Sequence, residues 1–231
     1  MTDAPHAPHA PRNRTRDLTQ IAVFAGIVAA LGVVPAITIP GPGVPITLQT
    51  LGVMLAGAVL GSKRGFSALL LFDVLVLAGL PLLAGGRGGL AVLASPTVGY
   101  FIGFPIAAFA VGWLVERFGN PFRILPGIVS TVVGGVFVLY IPGIIGVALM
   151  AKIGFGAAAL SALAFLPGDL AKAVIAALIA RGVHKAPTRG SSKTEDTGGR
   201  RRRRRRPLRQ WMREAGAPTS TSARRLNGVQ A

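Results

Sequence analysis

An all-α integral membrane bundle of six transmembrane helices, with both termini cytoplasmic, is the fold this sequence predicts. Of its 231 residues 51% are hydrophobic and only 14% charged, the mean hydropathy is +0.57, and the apolar residues run in blocks near membrane-spanning length. Basic residues are the second observation. They fall in alternate loops, as the positive-inside rule requires of an even number of crossings.

Residues 1 to 16 are rich in Pro, Ala and Arg and lack an apolar core, so they read as a disordered cytoplasmic leader with no cleavable signal peptide. A membrane domain from 17 to 185 follows, with spans expected near 18 to 39, 47 to 61, 65 to 83, 97 to 116, 123 to 142 and 168 to 184. Ser95-Pro96-Thr97 supplies an N-cap with proline at the first turn, which marks the start of the fourth span. Residues 143 to 166 admit two readings, a half-helix lying in the outer interface or a seventh partial span. Trp113 and Tyr140, near the inner end of span four and the outer end of span five, are expected as interfacial anchors.

Loop charge supports this layout. Arg12, Arg14 and Arg16, then Lys63 and Arg64, then Arg117 and Arg123 occupy the leader and the two inner loops, whereas the outer connections carry Arg87 and Lys152 alone. Residues 186 to 231, with seven arginines from Arg200 to Arg206, read as a disordered cytoplasmic tail. Fifteen of the 25 Lys and Arg lie beyond Ala180, so the formal charge of +17 belongs mainly to the C-terminus and is no sign of specific nucleic-acid binding. Attraction to the anionic surface of the lipid bilayer and an exaggerated topology signal are the two readings of that run.

Several chemistries are excluded. No cysteine is present, and of the three histidines His6 and His9 lie in the leader and His184 at the far end of the last span, so cysteine and histidine metal sites are not expected. Gly61-Ser62-Lys63 lacks the upstream glycine of a phosphate-cradling loop, and no serine, histidine and acid set stands at membrane depth. The chain is expected to hold no cofactor, to hydrolyse no ATP and to catalyse no reaction.

Asp169 and Lys172 are the foremost functional candidates. Three residues apart on a helix they share one face, and ionisable groups at membrane depth are costly and usually line a bundle interior or a ligand site. The bland alternative makes Asp169 a helix cap after Pro167-Gly168 and lets Lys172 snorkel, although a cation in the first turn opposes the helix dipole. Asp73, in span three, is a second intramembrane acid. The external loop Gly85-Gly86-Arg87-Gly88-Gly89 allows the backbone close to a ligand and offers a guanidinium fork suited to a carboxylate. Residues 41 to 50 mix rigid proline with glycine and present Thr47, Gln49 and Thr50, as a lid over a cavity or as a plain turn; Tyr100 faces either the interface or a pocket. In span one, Ala22, Gly26 and Ala30 form one row of small residues and Ala25 and Ala29 a second, the device that lets another helix approach closely, in this bundle or in a partner. Gly99 and Gly103 make a similar pair in span four.

Five ordered stretches, Val44-Pro-Ile-Thr-Leu-Gln-Thr50, Leu60-Gly-Ser-Lys-Arg-Gly65, Leu80 to Ala91, Ser95 to Phe104 and Phe165-Leu-Pro-Gly-Asp-Leu-Ala-Lys172, together resemble the BioY family, the biotin-specific substrate-capture (S) subunits of energy-coupling factor transporters. The resemblance spans residues 17 to about 184 and implies a six-helix bundle with an outward biotin pocket under the loop 40 to 49. It implies Asp169 on a ureido N–H of biotin, Lys172 on a ligand acceptor, and Arg87 with Gly86 and Gly88 toward the carboxylate, with Tyr100, Gln49 and Thr47 nearby. It further implies docking through span one, the Ala25 and Ala29 row favoured, onto a membrane coupling subunit bound to two ATPases that would use the ATP. Self-association is a further use for such rows. A capture subunit for another vitamin, and a channel or proton-coupled carrier relaying through Asp73 and Asp169, are the competing functions.

Overall fold

A computed structural model describes residues 14–38, 44–118 and 122–185. Helix α1 (Arg14–Val33) leads through a short antiparallel pair, β1 (Ile37–Thr38) with β2 (Pro45–Ile46), into α2 (Gln49–Leu60) and α3 (Ser62–Leu77). A 3-10 turn (Leu90–Ala94) precedes α4 (Val98–Phe118). Helix α5 (Ile124–Val132) runs through a π turn (Val133–Val138) into α6 (Leu139–Met150), and α7 (Phe155–Leu163) and α8 (Leu166–Lys185) close the order. The two-residue strands and an isolated bridge between Leu83 and Arg87 are the β-type pairings among the described residues of an otherwise helical chain.

The surface identifies the solvent. Leu125, Leu160, Ile141, Leu149 and Val129 are each at least 60% exposed, an apolar exterior that water would not tolerate and lipid does. Three helical runs are long and apolar enough to cross a bilayer, Arg14–Val33, Val98–Phe118 and Ile124–Met150, and the pair α7 and α8, bent by 54°, makes a fourth if counted as one broken span. Helix α2, with 12 residues, is shorter than a span.

The helices share two distinct ends. At one, Arg64 Nη1 ties α3 to Asp17 at 3.2 Å and to Gln20 at 2.9 Å on α1, Glu116 caps α3 from α4 by accepting from Ser62 N–H and Ser62 Oγ, each at 2.8 Å, and His184 Nε2 donates to Ala58 O at 2.9 Å while stacking on Phe122. Here lie Lys63, Arg117, Arg123 and Arg181. The opposite end gathers the starts of α2, α4 and α8, the Leu80 to Gly89 loop and the site described below.

Several boundaries differ from those the sequence predicts. Helix α1 starts at Arg14, inside the expected leader, and stops at Val33, because proline at 35 disfavours the helical conformation at 34. Helix α3 stops at Leu77, ahead of Gly79 (φ 107°) and Pro81. The fifth span does not end at Pro142 but continues to Met150; the carbonyl that Pro142 leaves without its N–H partner, that of Val138, falls in the π turn. Residues 143–166 are thus the end of α6 plus α7, neither of the two expected forms alone. Gly99 and Gly103 pack against Pro142 and Leu139, so that pair serves internal contact between α4 and α6. The leader to residue 13, the loop residues 39–43 and the tail from 186, about which the sequence makes expectations, lie outside the described residues.

Candidate functional site

A cavity of about 580 Å³, its mouth included, opens at the end opposite the basic one. Apolar walls come from Val44, Ile46, Leu83, Phe101, Phe104 and Phe165, and polar groups from Thr47, Gln49, Thr50, Arg87, Thr97, Tyr100, Asp169 and Lys172. Segments distant in sequence therefore converge on it.

Asp169 and Lys172 form its polar centre. Helix α8 begins at Leu166, so both side chains leave its first two turns on one face, and their charges pair at 2.9 Å. The carboxylate is 4% and the ammonium residue 7% exposed, so neither charge has water as its main partner. Asp169 Oδ1 accepts from Thr50 Oγ1 at 3.0 Å and from Lys172 Nζ at 2.9 Å, and Oδ2 accepts from Tyr140 OH at 2.8 Å. Lys172 Nζ also donates to Thr47 O at 2.6 Å and Thr50 Oγ1 at 3.1 Å. All three ammonium protons are engaged, whereas Oδ2 retains a lone pair. Three donors converge on Asp169, and the lone pair left on Oδ2 has room for one more N–H. Neither bland alternative fits: Asp169 is occupied by side chains rather than by its own helix's first N–H groups, and Lys172 points into the bundle.

The other candidates separate. Arg87 lines the cavity, with Nε donating to Ala84 O at 3.2 Å and Nη1 to Thr97 Oγ1 at 3.3 Å. Gly86 and Gly88 are absent from the lining; Gly86 N–H and Arg87 N–H both bond Leu83 O, so the glycines build the turn instead of presenting N–H groups to a ligand. Gly85 and Gly86 take φ 78° and 71°, left-handed values that a side chain would strain. Tyr100 lines the cavity and meets Tyr140 edge-on, ring centroids 6.1 Å apart. Gln49 touches the cavity, but its amide is spent on backbone groups.

Two residues escaped the sequence. Tyr140, expected at the interface, is buried and orients Asp169 from 29 positions away, with no local spacing to reveal it. Thr50 was visible only as a polar residue near the loop. On α1, the row favoured for docking turns inward: Ala25 is 3% exposed in the core and Ala29 packs against it, whereas Ala22, Gly26 and Ala30 are exposed, with nothing within 4 Å of a Cβ at Gly26. Burial of Ala25 against α2 and α3 removes it from any outer surface. Asp73 is buried away from the cavity, with Oδ1 unpartnered.

A model of the BioY family matches residues 4–189. The chain belongs to the BioY family. Among its BioY relatives, the biotin transporter BioY of Rhizobium etli is 49% identical over 176 residues, covering 73% of this chain and 93% of that protein. The probable biotin transporter BioY of Bacillus subtilis is 41% identical over 167 residues, covering 71% and 88%. A crystal structure of the S-component for biotin from an ECF-type ABC transporter superposes with a TM-score of 0.72 at 31% identity, covering 77% of this BioY chain and 95% of that one. BioY proteins are membrane transport proteins, so this chain is a transporter component and not an enzyme.

Proposed function

We propose that this chain captures biotin at the outer end of a six-crossing bundle in the cell membrane and delivers it inward with an ATP-driven coupling module. One observation carries the reading: a buried, triply donated carboxylate with a free lone pair stands at the polar centre of an apolar cavity. A ureido ring suits it, since its N–H donates to Asp169 Oδ2 while the fused ring system and valerate chain lie against Phe101, Phe104 and Phe165. Its carbonyl is the acceptor for Lys172, which gives up Thr47 O or Thr50 Oγ1 in exchange. The carboxylate end goes to Arg87.

On this reading α2, α3 and the bent α7–α8 unit complete six crossings, the basic end is cytoplasmic, and both termini lie there. The exposed Ala22, Gly26 and Ala30 row is the docking face for a transmembrane coupling subunit, itself served by two ATPases that use the ATP. The test is titration of the purified chain with biotin and with other vitamins. Saturable heat with biotin alone supports it; saturation by a different vitamin refutes it. A proton-coupled carrier is disfavoured because Asp73 lies off the cavity and Asp169 is held by three donors. Biotin flux driven by a pH gradient in liposomes would reinstate it.

A further inference from the structure

Gln49 opens α2 and is 2% exposed. Its Nε2 donates to Leu82 O at 3.1 Å and Val28 O at 3.4 Å, and its Oε1 accepts from Ala84 N–H at 3.2 Å. No side chain but a primary amide gives two donations and one acceptance without charge. Ala84 sits in the turn closed by Leu83 N–H on Arg87 O at 3.0 Å. One peptide unit removed, Ala84 O receives Arg87 Nε at 3.2 Å. Gln49 therefore grips the residue whose carbonyl aims the guanidinium.

A second hold comes from the other side. Arg87 Nη1 donates to Thr97 Oγ1 at 3.3 Å; the Thr97 and Ser95 hydroxyls lie 2.8 Å apart, and Ser95 Oγ donates to Val92 O at 2.8 Å. The chain of donors runs one way, from arginine to a backbone carbonyl. Two of the five guanidinium N–H groups are so used, and the remainder are left for the cavity that Arg87 lines.

We propose that Gln49 is a positioning residue for Arg87, fixing the Leu82 to Arg87 turn so that the guanidinium stands where it selects a carboxylate-bearing ligand over its neutral ester. The inference rests on the proposed reading that biotin is the ligand and Arg87 takes its carboxylate. It assigns to Gln49, whose amide is spent on backbone groups, a role in selectivity exerted through Arg87.

The experiment measures binding of biotin and biotin methyl ester to the purified full chain, the readout being the ratio of the two affinities. Arg87→Met should lower the acid-over-ester ratio about ten- to a hundredfold, the worth of one charge-assisted hydrogen bond. Gln49→Met should lower the same ratio by at least about threefold with ester affinity near wild type, and the double variant should add little to Arg87→Met. Gln49→Asn, which keeps the amide but withdraws it by about 1.5 Å from Ala84, should act as Gln49→Met does and covers the case in which methionine at this position does not fold. Equal losses for acid and ester in the Gln49 variants, or an unchanged ratio, overturn the positioning role. An unchanged ratio in Arg87→Met is a separate failure: it refutes the carboxylate assignment itself, and the positioning role with it.

Discussion

Replacing Asp169 with asparagine keeps the side chain's shape and removes its charge. In the structure that carboxylate takes Thr50 Oγ1, Lys172 Nζ and Tyr140 OH, and retains one lone pair on Oδ2. An asparagine oxygen can take Oδ1's place, but its NH₂ then stands where Oδ2 was and presents donors to an incoming ligand N–H. The lost bond is one to a charged acceptor, worth about 1.5 to 3 kcal/mol, or roughly ten- to a hundredfold in biotin affinity. Folding suffers as well, because Lys172 becomes a buried cation without its counter-ion, a loss of about 3 to 5 kcal/mol in comparable cases. Calorimetric titration of folded, detergent-purified variant, paired with its thermal midpoint, separates the two effects. Lys172→Met in the same background restores charge balance, so the double variant should be more thermostable than Asp169→Asn alone while binding no better. Wild-type affinity in folded Asp169→Asn would refute the ligand role.

Leucine in place of Gly26 should abolish co-purification with a coupling subunit and leave biotin binding unchanged, whereas leucine in place of Ala25 should lower the thermal midpoint, since Ala25 is buried in the core. Normal assembly of Gly26→Leu would show that this row faces only lipid. Tyr140→Phe removes one of the donors on Asp169, a bond made with or without ligand, so its cost of about 1.5 to 3 kcal/mol should appear as a lower thermal midpoint, with a smaller loss of biotin affinity in the same protein measured by calorimetry. Removal of residues 186–231 should leave biotin affinity intact, because among the described residues the cavity is lined by 44–172; a large loss measured by the same titration would refute this.

Legibility from sequence followed the cost of each residue. Asp169 and Lys172 stand out in an apolar stretch because charge at membrane depth needs compensation, so the pair was visible without coordinates. Arg87 was visible for another reason, as a guanidinium set among the glycines of an outer loop. Tyr140 was not: a tyrosine near a span end fits an interfacial belt equally well, and only the packing of α8 on α5 and the π turn, which lead into α6, brings Asp169 within reach of its hydroxyl. The two small-residue rows of α1 were ambiguous because both satisfy close approach, and which one faces α2 and α3 is a matter of helix phase. The fifth span was expected to end near 142, since nothing local announces the π turn that lets the helix run through Pro142. Gln49 was seen as polar and near the ligand loop; that its whole amide is consumed by backbone from Val28, Leu82 and Ala84 is a long-range fact.

The cavity's polar and apolar parts have different tasks, and the hydrogen-bond count says which is which. Lys172 has no proton to spare, so a ligand acceptor reaching it replaces Thr47 O or Thr50 Oγ1, one bond for another, with little net gain. Asp169 Oδ2 can add a bond. Affinity must then come chiefly from apolar burial: covering about 150 Å² of ligand against the phenylalanine walls is worth about 4 kcal/mol at about 25 cal/mol per Å². The polar centre acts by exclusion, because a ligand that fills the cavity without an N–H shields the carboxylate from water and gives nothing back, the asymmetry that makes buried polar groups selective. The exchange at Lys172 has a further consequence, since Thr47 O belongs to the segment leading into α2. A ligand that takes the ammonium from Thr47 removes one of the bonds by which α8 holds that segment.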